Sequence, residues 1–323
     1  MKTVVKWLGF GVIGVLVLGT GFYLWASVAA SRALARVVPA HTVGFPVPFP
    51  LEQDEVEEMG LTPEEAEELA LERALERGRH LVEARYACGE CHGENFGGGV
   101  MVDAFPIGRL LGPNLTGGQG GLPADYSVAD WDRIVRHGIL PDGRKALMPS
   151  EDFLLMSDQE LSDIIAWIRV QPPVDNQVRP SRLGPLGKVL VATGQIVPSA
   201  DLIEEHDAPH LPFPPPSEAS VEFGRHLAGV CTGCHGPELT GGRIQGGDPA
   251  WPPASDLTPG PEGLAGWSLQ DFEVAMREGR SADGAELREP MTFVMPYARR
   301  MTDVELEALW VFLRSLPEAQ AGS

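Results

Sequence analysis

The chain contains the stretches CGECH at residues 88–92 and CTGCH at residues 231–235, and these two pentapeptides use all four of its cysteines. In such a stretch, two thiols on one turn can bond to the vinyl groups of a haem, and the adjoining histidine can bind the iron. A C-x-x-C pair can also be a redox dithiol, half of a zinc site or one end of a disulfide. Two copies that both end in histidine favour haem, because a zinc site built from both pairs would leave the histidines without a role. The sequence therefore predicts two covalently bound haem c groups. The predicted attachment residues are Cys88, Cys91, Cys231 and Cys234, and the predicted histidine ligands of iron are His92 and His235.

Matching segments surround the two motifs. GRHL precedes each motif, at residues 78–81 and 224–227, and a glycine-rich stretch follows it. Further on, PNLT at residues 113–116 matches SDLT at residues 255–258. The chain is thus an internal duplication, and each copy of about a hundred residues has the usual size of one small domain.

A haem iron with histidine on one side needs a partner on the other, and methionine is the first candidate. Met148 and Met295 stand at equivalent places in the two copies, and each is followed by proline. Proline favours extended geometry in the residue before it, so we expect each methionine on a loop. A thioether suits haem iron and raises its reduction potential. Met291 stays open as an alternative to Met295, and His80 and His226 stay open as ligands of a bis-histidine site.

The helix signals predict an all-α fold. Thr62 followed by Pro63 marks the start of a helix that leads toward the first motif. Ser157 with Glu160, and Thr302 with Glu305, have the spacing of a capping box, and apolar residues then recur at helical intervals. Each copy therefore ends in an amphipathic helix. No long alternating pattern predicts a strand.

An uncharged apolar run at residues 7–31 lies between Lys6 and Arg32. As a helix it would be ~37 Å long, which is enough to cross a bilayer. Lys2 and Lys6 favour an amino-terminus in the cytoplasm. The sequence predicts a single-pass anchor with the rest of the chain on the periplasmic side, and a cleavable signal peptide is the alternative.

Proline-rich segments separate the predicted units. FPVPFP at residues 45–50 predicts a stiff extended spacer, and a long connector that begins at Pro172 is expected to pack against one or both domains. The predicted organisation is an anchor at 1–32, a spacer with an acidic segment at 33–61, a first domain at 62–172, the connector at 173–218 and a second domain at 219–323.

Taken together, these features resemble a membrane-anchored, dihaem member of the class I cytochrome c family, over residues 64–172 and 219–317. The resemblance implies two helical haem domains and one-electron transfer. It also implies that a prolyl carbonyl accepts a hydrogen bond from the iron-bound histidine. Pro113 stands in that place for His92, whereas Ser255 stands there in the second copy.

The excess of acidic residues indicates which kinds of partner the chain can bind. Acidic residues outnumber Lys and Arg by 45 to 25, which gives a formal net charge of −20, and many acids lie within residues 52–76. Such a surface repels nucleic acid and favours redox partners with basic docking surfaces.

Two classes of function remain. One is a membrane-tethered one-electron carrier or the cytochrome subunit of a respiratory or photosynthetic electron-transfer complex. The other is a dihaem enzyme, of the peroxidase or thiosulfate-oxidising type, in which one iron is open or has a displaceable ligand.

Overall fold

Helices make up most of the ordered elements in the computed structural model, which describes residues 2–39 and 43–318. The helices are α1 (Lys2–Ala35), α2 (Gln53–Met59), α3 (Pro63–His80), α4 (Cys88–His92), α5 (Val128–His137), α6 (Asp158–Arg169), α7 (Pro185–Ala192), α8 (Ser199–Leu202), α9 (Val221–Leu227), α10 (Thr232–His235), α11 (Leu269–Glu278), α12 (Met291–Ala298) and α13 (Asp303–Ser315). The strands are β1 (Gly99–Ala104), β2 (Gly108–Gly112) and β3 (Arg182–Leu183). Parts of the predicted anchor, spacer and second domain, at residues 1, 40–42 and 319–323, lie outside the described residues.

Each copy is built around a close crossing of two helices. Helix α3 packs against α6 in the first copy, and α9 packs against α13 in the second. Gly78 and Gly224 permit these crossings. A Cβ at Gly78 would lie 2.2 Å from the backbone oxygen of Asp163, and one at Gly224 would lie 2.0 Å from that of Ala308. The repeated GRHL segment therefore contributes a glycine that lets two backbones approach.

The predicted helix starts are confirmed. Thr62 caps α3, Ser157 caps α6 and Thr302 caps α13, each in a capping box with the glutamate three residues later. Behind the closing helices lie two clusters of buried apolar side chains, one in each copy. These clusters form the core on which the two haem motifs rest.

A small antiparallel sheet was not predicted. Strands β1 and β2 form a hairpin, and β3 from the connector pairs with β2. The pattern was missed because β1 and β2 are short and partly exposed, and neither shows a long alternation of apolar and polar residues. The hairpin packs against α4, which carries the first haem motif.

Helix α1 is the described helix whose length and composition would allow it to cross a membrane. The span Val5–Ala35 has a mean hydropathy of 1.9, and its side chains are mostly exposed. Near its end, Ala26 and Ala30 are buried, and α7 of the connector packs alongside α1. The anchor helix is thereby attached to the connector.

The segment predicted to be a stiff extended spacer lies on the first domain. Phe45 and Val47 pack against the core of that domain, and Ser162 donates a hydrogen bond of 2.8 Å to the carbonyl of Pro46. Phe49 contacts Phe213 of the connector, with ring centroids 5.4 Å apart. The prolines keep this segment extended, but its phenylalanines bury apolar surface against the domain, so it does not extend the reach of the chain.

Candidate haem sites

The first haem motif forms the single helical turn α4, which places its two cysteines side by side. Cys88 and Cys91 are free thiols, and burial raises the pKa of Cys88 to about 12. The second motif begins in a short 3-10 turn and ends in α10, and Cys231 and Cys234 are also free. Burial likewise raises the pKa of Cys231 to about 12. Neither pair is joined as a disulfide, so all four sulfurs are available for thioether bonds.

The motif histidines are oriented by backbone carbonyls. Nδ1 of His92 donates to the carbonyl of Pro113 over 2.9 Å, as the resemblance implied. In the second copy, Nδ1 of His235 donates to the carbonyl of Ser255 over 2.8 Å, so the change from proline to serine keeps the bond. Burial lowers the pKa of both histidines. Each ring is therefore held neutral with Nε2 left to bind a metal, which is the arrangement that a haem ligand requires.

Met148 lies on a loop, as predicted, and the connector fixes that loop. The hydroxyl of Ser199, on α8, donates to the carbonyl of Met148 and accepts from the backbone N–H of Ser150 over 3.1 Å. Ser150 in turn donates to the carbonyl of Ile134 over 2.7 Å. Met148 is half-buried against the core of the first domain. Sequence reasoning missed Ser199, because no local motif marks a serine that acts 51 residues from its partner.

For Met295 the expectation of a loop is wrong. Met295 lies inside α12, and Pro296 is also within this helix. The preference of a pre-proline residue for extended geometry is a bias that packing overrides here, since Met295 is 5% exposed and lies beside Gly279. Met291 begins the same helix, one turn earlier, so the two methionines share a face. Met295 is the more buried of the two.

The two domains exchange contacts at their haem motifs. Tyr297, on α12 of the second domain, donates to the carboxylate of Glu90 in the first motif over 2.6 Å. Asp152 of the first domain lies against Gly233 of the second motif, where an added Cβ would come within 2.5 Å of its carboxylate. Burial raises the pKa of Asp152 to about 7, and the neighbouring charge of Glu151 adds to the shift. Each motif thus meets the segment that carries the methionine candidate of the other domain.

A second reciprocal exchange joins the closing helices. Nε2 of His80 contacts Glu305 at 2.9 Å, and Nε2 of His226 contacts Glu160 at 2.9 Å. Arg85 lies between the two carboxylates and pairs with both. Both histidines are therefore engaged with carboxylates across the domain boundary. Sequence reasoning considered these glutamates only as helix caps, because no spacing links them to the histidines of the other copy.

The charge state of this network follows from its contacts. Burial would raise the pKa of Glu305, but the hydrogen bond from His80 and the charge of Arg85 outweigh it and hold the pKa at about 2. The same balance, with His226 as the main partner, lowers the pKa of Glu160. Both carboxylates are thus ionised at neutral pH, and the two domains are joined by compensated buried charges.

Two family models match this chain. Residues 73–168 match the model described as cytochrome c oxidase, cbb3-type, subunit III, and residues 221–317 match the model described as cytochrome c. The chain therefore carries two cytochrome c domains in tandem, which confirms the resemblance read from the motifs. It belongs to the cytochrome c family, whose members bind haem c and transfer electrons.

Several curated proteins that are similar to this chain are cytochrome subunits of dehydrogenases. The chain is 25% identical over 269 residues to the fructose dehydrogenase cytochrome subunit of Gluconobacter japonicus, covering 77% of this chain and 54% of the relative. It is 26% identical to the cytochrome c subunit of the quinone alcohol dehydrogenase of Komagataeibacter europaeus, covering 70% of this chain and 52% of the relative. It is 24% identical to the gluconate 2-dehydrogenase cytochrome c subunit of Pantoea cypripedii, covering 78% and 61%. The chain thus spans between half and two thirds of the length of these relatives. They are electron-transfer subunits, and they give no support for a peroxidase.

Proposed function

We propose that each domain binds one haem c covalently, with histidine on one side of the iron and methionine on the other. The main support is the pair of Nδ1–H to carbonyl hydrogen bonds at His92 and His235, since these leave Nε2 of each ring free in both domains. Such a haem accepts and gives up one electron at a time. The proposed residues are Cys88, Cys91, His92 and Met148 for the first haem, and Cys231, Cys234, His235 and Met295 for the second.

The proposed haem count is tested on the denatured protein. The mass should exceed that of the polypeptide by two haems, and the colour should stay with the protein on extraction with acidified acetone. Replacing Cys88 and Cys91 with alanine should remove one haem, and replacing Cys231 and Cys234 should remove the other. A mass that fits the bare chain would overturn the proposal. Loss of both haems from either double variant would show that the motifs do not act independently.

We further propose that the chain is the membrane-anchored cytochrome subunit of a dehydrogenase complex. In this role it would receive the electrons released when an alcohol or sugar substrate is oxidised and pass them to an acceptor in the membrane. The named relatives serve dehydrogenases of fructose, alcohol and gluconate. The buried charge network and the packing of α7 on α1 support this role, because they hold two haem domains at a fixed place beside the anchor. Electron transfer from one haem to the other needs such a fixed distance between them.

Membranes that contain the chain offer a direct test. Addition of fructose, ethanol or gluconate should reduce its haems for at least one substrate, and a dehydrogenase subunit should co-purify after gentle solubilisation. The matched control is the variant without cysteines 231 and 234, which should assemble but reduce more slowly. Rapid turnover of peroxide by the purified chain alone would favour the enzyme class instead.

The proposed topology places α1 across the membrane once, with both haem domains on the periplasmic side. Its support is the apolar helix α1 and the lysines that precede its apolar run. Attack by protease on intact spheroplasts should remove the haem domains and leave the anchor, and the mass of the mature amino-terminus should show whether α1 is kept. Protection of the haem domains in spheroplasts would reject this orientation.

The acidic face of α3 is the proposed docking surface for a basic partner. Glu64, Glu67 and Glu68 are exposed on this helix, and α2 adds Glu57 and Glu58 beside it. Charge complementarity acts mainly on the rate of association and is weakened by salt. Reversal of Glu67 and Glu68 to lysine should slow reduction by the partner at low salt and flatten its salt dependence. Reversal of Glu262, an exposed acid of the second domain, is the control and should do neither.

A further inference from the structure

Three histidines meet where the connector covers the first domain, away from both haem motifs. His137 ends α5 and is fully buried, whereas His206 and His210 come from the connector and are half-buried. Nδ1 of His137 lies 3.2 Å from Nδ1 of His206, and Nε2 of His137 lies 3.1 Å from Nε2 of His210. The carboxylate of Asp132, on the same helix, is also buried, with Oδ2 at 3.9 Å from Nε2 of His137.

The hydrogen bonds around the cluster assign the ring protons. Nε2 of His206 donates to the carbonyl of Ala200 over 3.1 Å, so in a neutral ring its Nδ1 accepts. His137 therefore donates through Nδ1, and its Nε2 carries a lone pair. That lone pair faces Nε2 of His210 and the carboxylate of Asp132. A metal-binding histidine is normally held in this way, by a second partner on its far nitrogen.

From this geometry we infer a divalent metal site of the zinc class, with Nε2 of His137, Nε2 of His210 and a carboxylate oxygen of Asp132 as its ligands. The three ligand atoms all lie within 4.8 Å of one another. In a tetrahedral zinc site with bonds of about 2.0–2.1 Å, ligand atoms lie about 3.3 Å apart. The two ring nitrogens are already 3.1 Å apart, and the carboxylate of Asp132, 3.9 Å from Nε2 of His137, has to move closer to complete the set. Two imidazoles and one carboxylate suit Zn²⁺ and similar ions and do not suit Mg²⁺ or Ca²⁺.

The surroundings supply what a metal site needs besides its ligands. Arg136 donates to the other oxygen of Asp132 over 2.7 Å and holds the carboxylate in place. His210 is half-buried, so it is the most accessible of the three ligands. Such an ion would join α5 to the connector, which also carries the Ser199 clamp on the Met148 loop. Its role there is structural, and the inference does not depend on the proposed function of the complex.

Zinc binding to the purified full-length holoprotein in detergent tests the site. After treatment with a chelator, the protein should take up about one equivalent of Zn²⁺, measured by elemental analysis after gel filtration, and its midpoint of thermal unfolding should rise with zinc. His210→Ala should weaken the affinity for zinc at least tenfold and abolish the thermal shift. The matched control is Asp207→Asn, which removes an exposed negative charge from the same loop and should leave zinc binding unchanged.

The control matters because a chain with a net charge of −20 attracts cations without a built site. Equal zinc binding by wild type and His210→Ala, or no binding at micromolar zinc, would overturn the inference. His210→Gln keeps most of the side-chain volume and should lose zinc as His210→Ala does, which excludes a simple loss of folding. Competition by excess Mg²⁺ or Ca²⁺ at the same site would also overturn it.

Discussion

The two domains share one plan but differ in how much of the chain covers their haem motifs. In the first domain His92 is only 8% exposed, because the β1–β2 hairpin packs against its motif. In the second domain His235 is partly exposed and Cys234 is exposed. The methionine candidates differ too, since Met148 lies on a loop pinned by Ser199 and Met295 lies within a helix. A duplicated sequence has thus produced two environments.

This difference bears on the reduction potentials. A haem shielded from water favours its less charged, reduced state, and a nearby carboxylate favours the oxidised state. The first motif is the better covered, and the second has the buried carboxylate of Asp152 beside it. We therefore expect the second haem to have the lower potential of the two.

Loss of the proposed sulfur ligands should have the largest effect on this comparison. Met148→Leu should lower one potential by on the order of 0.1 V and leave the other in place, and Met295→Leu should do the reverse. A redox titration followed by absorbance measures both. The same variants assign each reduction potential to its domain, so they also show which haem has the lower potential.

Buried methionines in the two cores serve as controls for these variants. Met156 and Met301 are 2% and 8% exposed, and their replacement by leucine should cost stability without moving either potential by a comparable amount. Met291→Leu separates the two candidates on α12. A large shift from Met291→Leu with none from Met295→Leu would move the ligand by one helical turn.

Breaking the reciprocal charge pairs should have the next largest effect. Glu305→Gln leaves Arg85 and His80 without the carboxylate that compensates them, and removal of one partner from a buried pair costs about 3–5 kcal/mol. Chemical denaturation would measure the loss in the free energy of unfolding. Glu65→Gln is the matched control, because Glu65 caps α3 in the same type of capping box but is exposed. A loss no larger than that of the control would show that the cross-domain pair contributes nothing beyond the cap.

The contact between His80 and Glu305 also predicts that the protein loses stability in acid. The pKa of Glu305 is about 2 in the folded chain and 4.5 when unperturbed. Because the folded value is the lower, the stabilisation is fully present above about pH 4.5 and is lost as the pH falls toward 2. In the Glu305→Gln variant, the free energy of unfolding should change less over this range than in wild type. An unchanged slope in the variant would contradict the assignment.

The local parts of both sites could be predicted from the sequence. The haem motifs, the carbonyl partner of His92 and the caps of the closing helices all depend on residues a few positions apart or on a known family pattern. His80 and Glu305 lie 225 residues apart in the sequence, and Met148 and Ser199 lie 51 residues apart. Such contacts are set by how the two copies and the connector pack together, which no spacing within the sequence reveals.

Asp152 tests the electrostatic side of the comparison. Its pKa of about 7 means that it loses its proton near neutral pH, and the ionised carboxylate beside the second motif then favours the oxidised haem. The potential of the second haem should fall as pH rises through about 7, by on the order of tens of millivolts. Asp152→Asn should raise this potential at pH 8 and remove the pH dependence. Glu151→Gln keeps Asp152 but removes a charge that raises its pKa, so the pH dependence should remain and move to lower pH. A pH dependence that persists in Asp152→Asn would assign it to another group.

The smallest effect is expected at Ser199, which acts on the first haem through the Met148 loop. Ser199→Ala removes two hydrogen bonds from this loop, with a net cost of about 1 kcal/mol, which corresponds to about a fivefold change in an equilibrium. Imidazole added from outside should therefore displace the methionine of the first haem about five times more readily, and binding at the second haem should not change. Ser199→Thr keeps the hydroxyl and should restore wild-type behaviour, and Ser217→Ala removes an exposed connector serine as the control. If Ser199→Ala binds imidazole as wild type does, the connector covers the first domain without controlling access to its iron.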